Sequence, residues 1–177
     1  MSIITQIKNG DEEAFAELIE QYKLPIYKTA KAILKNEDDV CDAIQDTALS
    51  IYKNIVNLKS EKYFKTWVIK ITINKCYDIL AKHRINDEKI LKVKANVSDA
   101  HVNFDSNVIL HTDLQRTLNI LEEDLKVVTV LFYYNDLSIS EISAILDIPK
   151  GTVKSRVFRA RKKLYEILSK EEVDTIE

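Results

Sequence analysis

Glycine and proline are nearly missing, with two of each in 177 residues. An all-β chain needs many tight turns, and those turns need Gly and Pro. Their scarcity argues against a strand-rich fold and for long helices joined by short loops. Gly10 and Gly151 stand far apart, which excludes a glycine-rich phosphate loop. Cysteine occurs at Cys41 and Cys76 only, with neither a CxxC pair nor a ligand spacing to histidine. Two reduced packing cysteines are expected. The chain does not open on a basic segment followed by an apolar run, and no apolar stretch nears the ~20 residues that a membrane span needs. The expectation is a cytoplasmic protein with no direct membrane insertion. The histidines are His83, His101 and His111, and none pairs with a Cys or carboxylate at a catalytic or metal-ligand spacing. No enzyme, metal or other cofactor is expected.

Hydrophobic residues make up 46% of the chain, enough for a packed core, and charged residues 31%, which suits helices with solvated faces. The net charge of −2 does not announce a nucleic-acid binder, but the charge is unevenly placed. Glu37 to Asp46 holds five acids and no base, and Lys59 to Arg84 holds seven bases and two acids. Lys150 to Lys163 holds seven bases and no acid, and the last seven residues hold four acids. Basic surfaces therefore sit on an otherwise neutral protein.

Two helical blocks are expected, from about Ile3 to Arg84 and from about Thr112 to Lys170. The stretch between them is dense in Asn, Asp and Ser (Asn86, Asp87, Asn96, Ser98, Asp99, Asn103, Asp105, Ser106, Asn107) and reads as a linker. Its apolar residues Ile90, Leu91, Val93 and Val97 leave room for a short helix. In the first block, Asp11 stands where it can cap a helix bearing Ala14, Phe15, Leu18, Ile19 and Tyr22, and Pro25 either kinks that helix or begins the next. A second helix follows the acidic run, and a third spans about Phe64 to Lys82. Residues 68–73 and 127–130 are rich in β-branched side chains, which favour strands. Periodicity overrides that preference. Leu118, Leu121, Leu125, Val128 and Phe132 recur at helical spacing, as do Trp67 and Ile71 on one stripe and Lys70, Asn74, Asp78 and Lys82 on another.

The most specific segment is Leu137 to Leu168, LSISEISAILDIPKGTVKSRVFRARKKLYEIL. Ser138 with Glu141 forms a capping box that starts a helix whose apolar face is Ile142, Ile145 and Leu146. Asp147-Ile148-Pro149 makes a turn, and a second helix begins near Pro149. On that helix Val153, Val157, Ala160 and Leu164 suit a core. Lys150, Thr152, Lys154, Ser155, Arg156, Arg159, Lys162 and Lys163 cover much of the rest, and Gly151 leaves backbone open to a phosphate. An ordinary solvated helix face mixes Glu with Lys. Seven bases without an acid favour a recognition helix that reads base edges and neutralises phosphates.

This stretch resembles the promoter-reading helix-turn-helix of extracytoplasmic-function (ECF) RNA polymerase sigma factors. The match lies at Leu137-Ser138, Glu141-Ile142, Ile148-Pro149, Gly151 to Arg156 and Arg159-Ala160-Arg161, with Asp147 standing where Gly is common. The N-terminal block carries its own likeness. Asn9 to Phe15 resembles the family's opening, and Asp38-Asp39 with Asp42, Gln45 and Asp46 resembles its polymerase-binding helix. Phe64 to Val68 with Ile71, Asn74 and Asp78 resembles its promoter-melting helix. Ala48 replaces an aromatic common in the family, and Glu122 stands where Pro is common.

The resemblance implies an all-α chain of two small helical domains joined by a flexible linker, the C-terminal one a helix-turn-helix. Residues 1–85 would bind core polymerase through Asp38, Asp39, Asp42, Gln45 and Asp46. They would open the minus-ten element with Lys59, Lys62, Lys65, Lys70, Asn74, Asp78, Lys82 and Arg84, the loop Val56 to Tyr63 holding an unstacked base. Residues 86–111 would be the linker. Residues 112–170 would read the minus-thirty-five element through Lys150, Gly151, Thr152, Lys154, Ser155, Arg156, Arg159, Lys162 and Lys163. Residues 171–177 would be an acidic tail. The implied partners are core RNA polymerase, promoter DNA as duplex and melted strand, and an anti-sigma factor, in this family often membrane-anchored, whose release answers an environmental signal. An autonomous helix-turn-helix regulator is the alternative. It shares the C-terminal segment but leaves the N-terminal likeness without a reason.

Overall fold

The computed structural model describes residues 2–94 and 118–174, and within them the chain is helical with no strand. The first module has four helices: α1 (Ile3–Lys8), α2 (Glu12–Ile33), α3 (Glu37–Asn54) and α4 (Phe64–Lys94), with single 3₁₀ turns at Ile55–Asn57 and Glu61–Tyr63. The second has α5 (Glu123–Thr129), a π-helical turn at Val130–Tyr134, α6 (Ile139–Leu146) and α7 (Lys150–Asp174).

Helices α1, α2 and α3 each start on a side-chain cap. Ser2 accepts from the Thr5 amide, Asp11 from Ala14 and Asn36 from Asp38, each satisfying an amide that the helix leaves without a partner. Gly10 turns the chain between α1 and α2 at φ 90°, a conformation that costs glycine nothing. Pro25 neither ends α2 nor begins a new helix but lies inside it. Among the described residues the buried threonines Thr29, Thr47, Thr72 and Thr129 each donate to the carbonyl four residues back, at 2.6–3.0 Å. A buried hydroxyl on a helix is thereby satisfied without any neighbour.

Both β-branched stretches are helical, as their periodicity requires. Val68, Ile69, Thr72 and Ile73 are at most 2% exposed, so burial of one stripe outweighs intrinsic preference. Three other expectations shift. The stripe from Leu118 to Phe132 is broken: Leu118 and Asn119 are helical, the chain turns at Ile120, and α5 starts after an extended Glu122. The acids Glu123 and Asp124 then occupy its first turn, where the helix dipole favours negative charge. Helix α4 also runs through residues 86–94, part of the stretch expected as linker. Residues 86–94 contain no Gly or Pro, and Glu88, Lys89, Leu91, Lys92 and Lys94 are good helix formers that carry the backbone past Asn86-Asp87. The remainder of the expected linker, 95–111, lies outside the described residues. Likewise α7 continues to Asp174, into the expected tail.

Two apolar clusters hold the fold. One packs α1, α2 as far as Ile26, the end of α3 and the start of α4 around Leu18, Ile26, Ile51, Ile55, Phe64 and Val68. Tyr22 meets the Phe64 ring edge-on at 5.0 Å there. The other begins at Ala30, Ile33, Val40, Ile69, Ile73 and Cys76 and continues without a break into Leu125, Val128, Leu131, Ile142 and Val153 of the second module. Burial pushes the Cys76 thiol up to about 12, so it stays a neutral packing group. Cys41, expected to pack, is exposed on α3.

Candidate nucleic-acid interface

The second module is a helix-turn-helix built from local rules. Ser138 Oγ accepts from the Glu141 amide at 3.2 Å, and Glu141 Oε2 accepts from the Ser138 amide at 2.8 Å and from its hydroxyl at 2.7 Å. These bonds to Ser138 hold the Glu141 carboxyl below its ordinary value, with a smaller contribution from Thr66. After α6, Asp147 takes the left-handed conformation (φ 53°, ψ 45°) and its amide donates to the Ser143 carbonyl. Ser143 Oγ donates to the Ile148 carbonyl at 2.6 Å and closes the turn. Buried Ile142 and Ile145 of α6 then meet buried Val153, Val157 and Ala160 of α7.

That packing decides which residues of α7 face outward. At 100° per residue, Gly151, Lys154, Ser155, Phe158 and Lys162 form one stripe opposite Val153 and Ala160, with Arg159 on its flank. All six are exposed. Lys150 is exposed at the helix start, and Thr152 is half-buried. Arg156 and Lys163 turn the other way, toward the start of α5. Arg156 Nε lies 3.1 Å from Asp124 Oδ2, and Lys163 Nζ lies 3.5 Å from Glu122 Oε1. Phe158 is 62% exposed in the middle of this basic face. Sequence reasoning passed over it because an aromatic among bases reads as packing, although its helical phase with Lys154 and Lys162 was available.

In the first module, Asp38, Asp42 and Gln45 are exposed and Asp39 and Asp46 half-buried along one side of α3. Asp39, Asp42, Gln45, Asp46 and Leu49 share a groove with Ile79, Lys82 and His83 of α4, and His83 Nε2 lies 3.0 Å from Asp39 Oδ1. Lys82, assigned by its spacing to the DNA stripe, thus faces the acidic groove. A stripe taken every fourth residue drifts around a helix, about 120° from Lys70 to Lys82.

Asn74 and Asp78 of that stripe, but not Lys70, line a pocket of about 430 Å³ formed by Ser50, Asn54 and Asn57 on one side and Trp67, Ile71, Asn74, Lys75 and Asp78 on the other. Two stripes that the sequence separates, Trp67 with Ile71 and Asn74 with Asp78, meet there. Ser50, Asn54, Asn57 and Lys75 were not singled out, because only the α3–α4 packing brings them to it. The pocket offers an aromatic edge and amide donors and acceptors, the two things needed to hold an unstacked base. Lys59, Lys62, Lys70 and Arg84 are exposed and Lys65 half-buried. Among the described residues no group of His, Cys, Asp and Glu is arranged to hold a metal, and no helix is long and apolar enough to cross a membrane.

A basic recognition helix in one module and a polar, aromatic-edged pocket beside an acidic helix in the other define a two-module, helical DNA-binding protein. Comparison with known proteins sharpens this. Residues 18–85 match the family model for sigma-70 region 2, and residues 111–164 match that for sigma-70 region 4. The chain is 31% identical to the ECF RNA polymerase sigma factor SigW of Bacillus subtilis over 172 residues, covering 91% of this chain and 92% of that one. It is 30% identical over 174 residues to the ECF sigma-E factor of Haemophilus influenzae, with 91% and 90% covered. Its fold matches RpoE of Bartonella quintana, solved with the anti-sigma factor NepR, at TM-score 0.66 and 22% identity over 86% of this chain and 97% of that one. The chain belongs to the ECF RNA polymerase sigma factors, proteins of transcription initiation.

Proposed function

We propose that this sigma factor divides promoter-directed initiation among three surfaces, and that it catalyses no reaction itself. Residues 1–85 bind core RNA polymerase through Asp38, Asp39, Asp42, Gln45 and Asp46. Their placement along one side of α3 supports this reading, because an acidic face speeds encounter with a basic partner and fixes register. The same module opens the minus-ten element. Asn74 and Asp78, with Trp67 at the pocket edge, hold an unstacked base. Lys59, Lys62, Lys65, Lys70 and Arg84 hold the backbone, and Lys82 serves the strand only where it leaves the acidic groove.

Residues 112–170 dock on the polymerase flap and read the minus-thirty-five duplex with the outward stripe of α7. Lys154, Ser155, Phe158 and Arg159 are the central contacts, and Lys150, Gly151, Thr152 and Lys162 lie beside them. Arg156 and Lys163 act through their pairing with α5. Residues 86–111 set the distance between the modules and thread the RNA-exit path, and residues 171–177 form the acidic end. The protein works in the cytoplasm and is held by an anti-sigma factor until an environmental signal frees it. RpoE of Bartonella quintana with NepR, and CnrH with the cytosolic domain of CnrY, supply precedents for such a partner.

The observation that carries the reading is the outward face of α7, basic and free of acids from Lys150 to Lys163. Reconstituted transcription tests it. Purified protein, bacterial core polymerase and a promoter library from the native genome should yield new starts that share spaced upstream elements and require core. Duplex binding with no gain in specific initiation would overturn the proposal.

A further inference from the structure

We propose that α1 is a splint for the loop Val56 to Tyr63, and that Lys8 is a positioning residue for the base that the minus-ten pocket takes. The inference rests on the assignment of that pocket above.

Helix α1 has six residues, too few to hold as a helix by itself in water. It forms because Ile4 and Ile7 are buried in the same cluster as Ile51, Ile55 and Phe64. That packing lays α1 beside the loop, and both of its ends are bonded to it. Ser2 Oγ, which caps α1, also donates to the Glu61 carboxylate. Lys8 Nζ, in the last turn, donates to the Leu58 carbonyl at 2.7 Å. The lengths agree. Six helical steps from Ser2 to Lys8 advance about 9 Å, and three extended steps from Leu58 to Glu61 cover about 10 Å. Leu58 (φ −65°, ψ 115°) and Ser60 (φ −152°, ψ 130°) are both extended. A helix of this length therefore spans the stretch of loop that it bonds.

What the splint fixes is the rim of the pocket. Asn57 lines the pocket with Asn54, Trp67 and Asn74. Leu58 follows Asn57 directly. Its amide donates to the Ile55 carbonyl at 3.1 Å, and its carbonyl accepts from Lys8. One backbone group is thus held by the 3₁₀ turn and the other by α1. Without the Lys8 bond that carbonyl turns to solvent, and Asn57 and Lys59 on either side lose a fixed reference. Groups that read a ligand must be held within roughly 0.5 Å of their working geometry, so a loosened rim costs discrimination first. A lysine beside a nucleic-acid site can instead neutralise phosphate. The neutral Ser2, making the matching bond at the other end of α1, favours positioning, and salt dependence separates the two roles.

Holoenzyme made from the full chain and bacterial core polymerase supplies the test, bound to forked promoter DNA with each base placed in turn at every minus-ten position. Wild type should prefer one base at the position that the pocket takes, and Asn74→Ala should lose that preference. Lys8→Met keeps the length and removes the donor. It should reduce the preference by about three- to tenfold, the scale of one hydrogen bond. The loss should fall on the preferred base, with affinity for the others and the slope of log K against log salt unchanged. Lys8→Arg should restore the preference, and Glu61→Ala should weaken it through the Ser2 end. Co-elution with core and the melting temperature of Lys8→Met should match wild type, since the residue is exposed. Equal weakening for every base, with the salt slope lowered by about 0.7, would make Lys8 a phosphate contact and overturn the splint. A Lys8→Met preference equal to that of wild type, while Asn74→Ala loses its own, would overturn the splint alone. A wild type with no preference at any minus-ten position, or an Asn74→Ala variant that keeps it, removes the pocket reading and the splint with it.

Discussion

Asp147 offers a quantitative test of how the helix-turn-helix is made. It ends α6 at φ 53°, ψ 45°, close to the left-handed minimum near 57° and 47°. For an L-residue that conformation costs about 1–2 kcal/mol, less for Asp and Asn and nothing for Gly. Gly also loses more freedom on folding, by roughly 0.5–1 kcal/mol relative to Ala, which offsets part of the relief. Asp147→Gly should therefore stabilise the protein by about 0.5 kcal/mol, while Asp147→Ala should destabilise it by about 0.5–1 kcal/mol. Asp147→Val should cost more than either, because a β-branched side chain at positive φ adds strain. For a chain of this size about 1 kcal/mol moves the melting temperature by about 2–4 °C. Thermal melts followed by far-UV circular dichroism should thus place the variants in the order Gly above Asp above Ala above Val. Because no polar contact of the Asp147 side chain enters the estimate, a melting temperature for Gly at or below that of the wild-type Asp would refute the reasoning and assign that side chain a role in the turn. Duplex binding well below the transition should be the same for Asp and Gly.

Other consequences can be measured on the same protein. Ile142→Ala empties a fully buried site between α6 and α7 and should cost about 2–5 kcal/mol in urea unfolding; a cost below 1 would mean that the helix pair re-collapses. Lys154→Gln should weaken minus-thirty-five duplex binding and lower the slope of log K against log salt by about 0.9, whereas Arg156→Gln should act mainly on stability through the lost Asp124 partner. Equal slopes for the two variants would contradict the outward and inward assignments. The Glu141 carboxyl is depressed in the folded state, first by Ser138. Its contribution is therefore present above the ordinary Glu value and lost as pH falls through that value toward the folded one. Glu141→Gln should flatten the acid limb of the stability curve in that window, and an unchanged limb would remove the capping box from the account. Asp42→Lys should reduce core binding in co-elution and leave duplex binding by α7 unaltered; loss of both would point to misfolding.

Much of the molecule follows from local sequence, for a physical reason. Capping and periodicity act within a few residues. Asp11, Asn36 and Ser138 cap in the structure, and the β-branched runs become helix because burial outweighs their strand preference, with Val68, Ile69, Thr72 and Ile73 buried in one and all of 127–130 buried in the other. The bases of α7 and the acids of α3 could be listed without coordinates. What sequence could not supply is direction. Whether a basic side chain on α7 faces solvent or an acid depends on where α5 packs, and this separates Arg156 and Lys163 from Lys154 and Lys162. The pocket joining Trp67 to Asn74 and Asn54 depends on α3 lying against α4, and the drift of a four-residue stripe carries Lys82 to the acidic groove. The seam between the modules, with Asn135 on Thr29 across 106 positions of sequence, has no local signature at all. Hydrogen bonds within a turn are written in neighbouring residues, whereas contacts between helices distant in sequence are set by the packing of the whole chain.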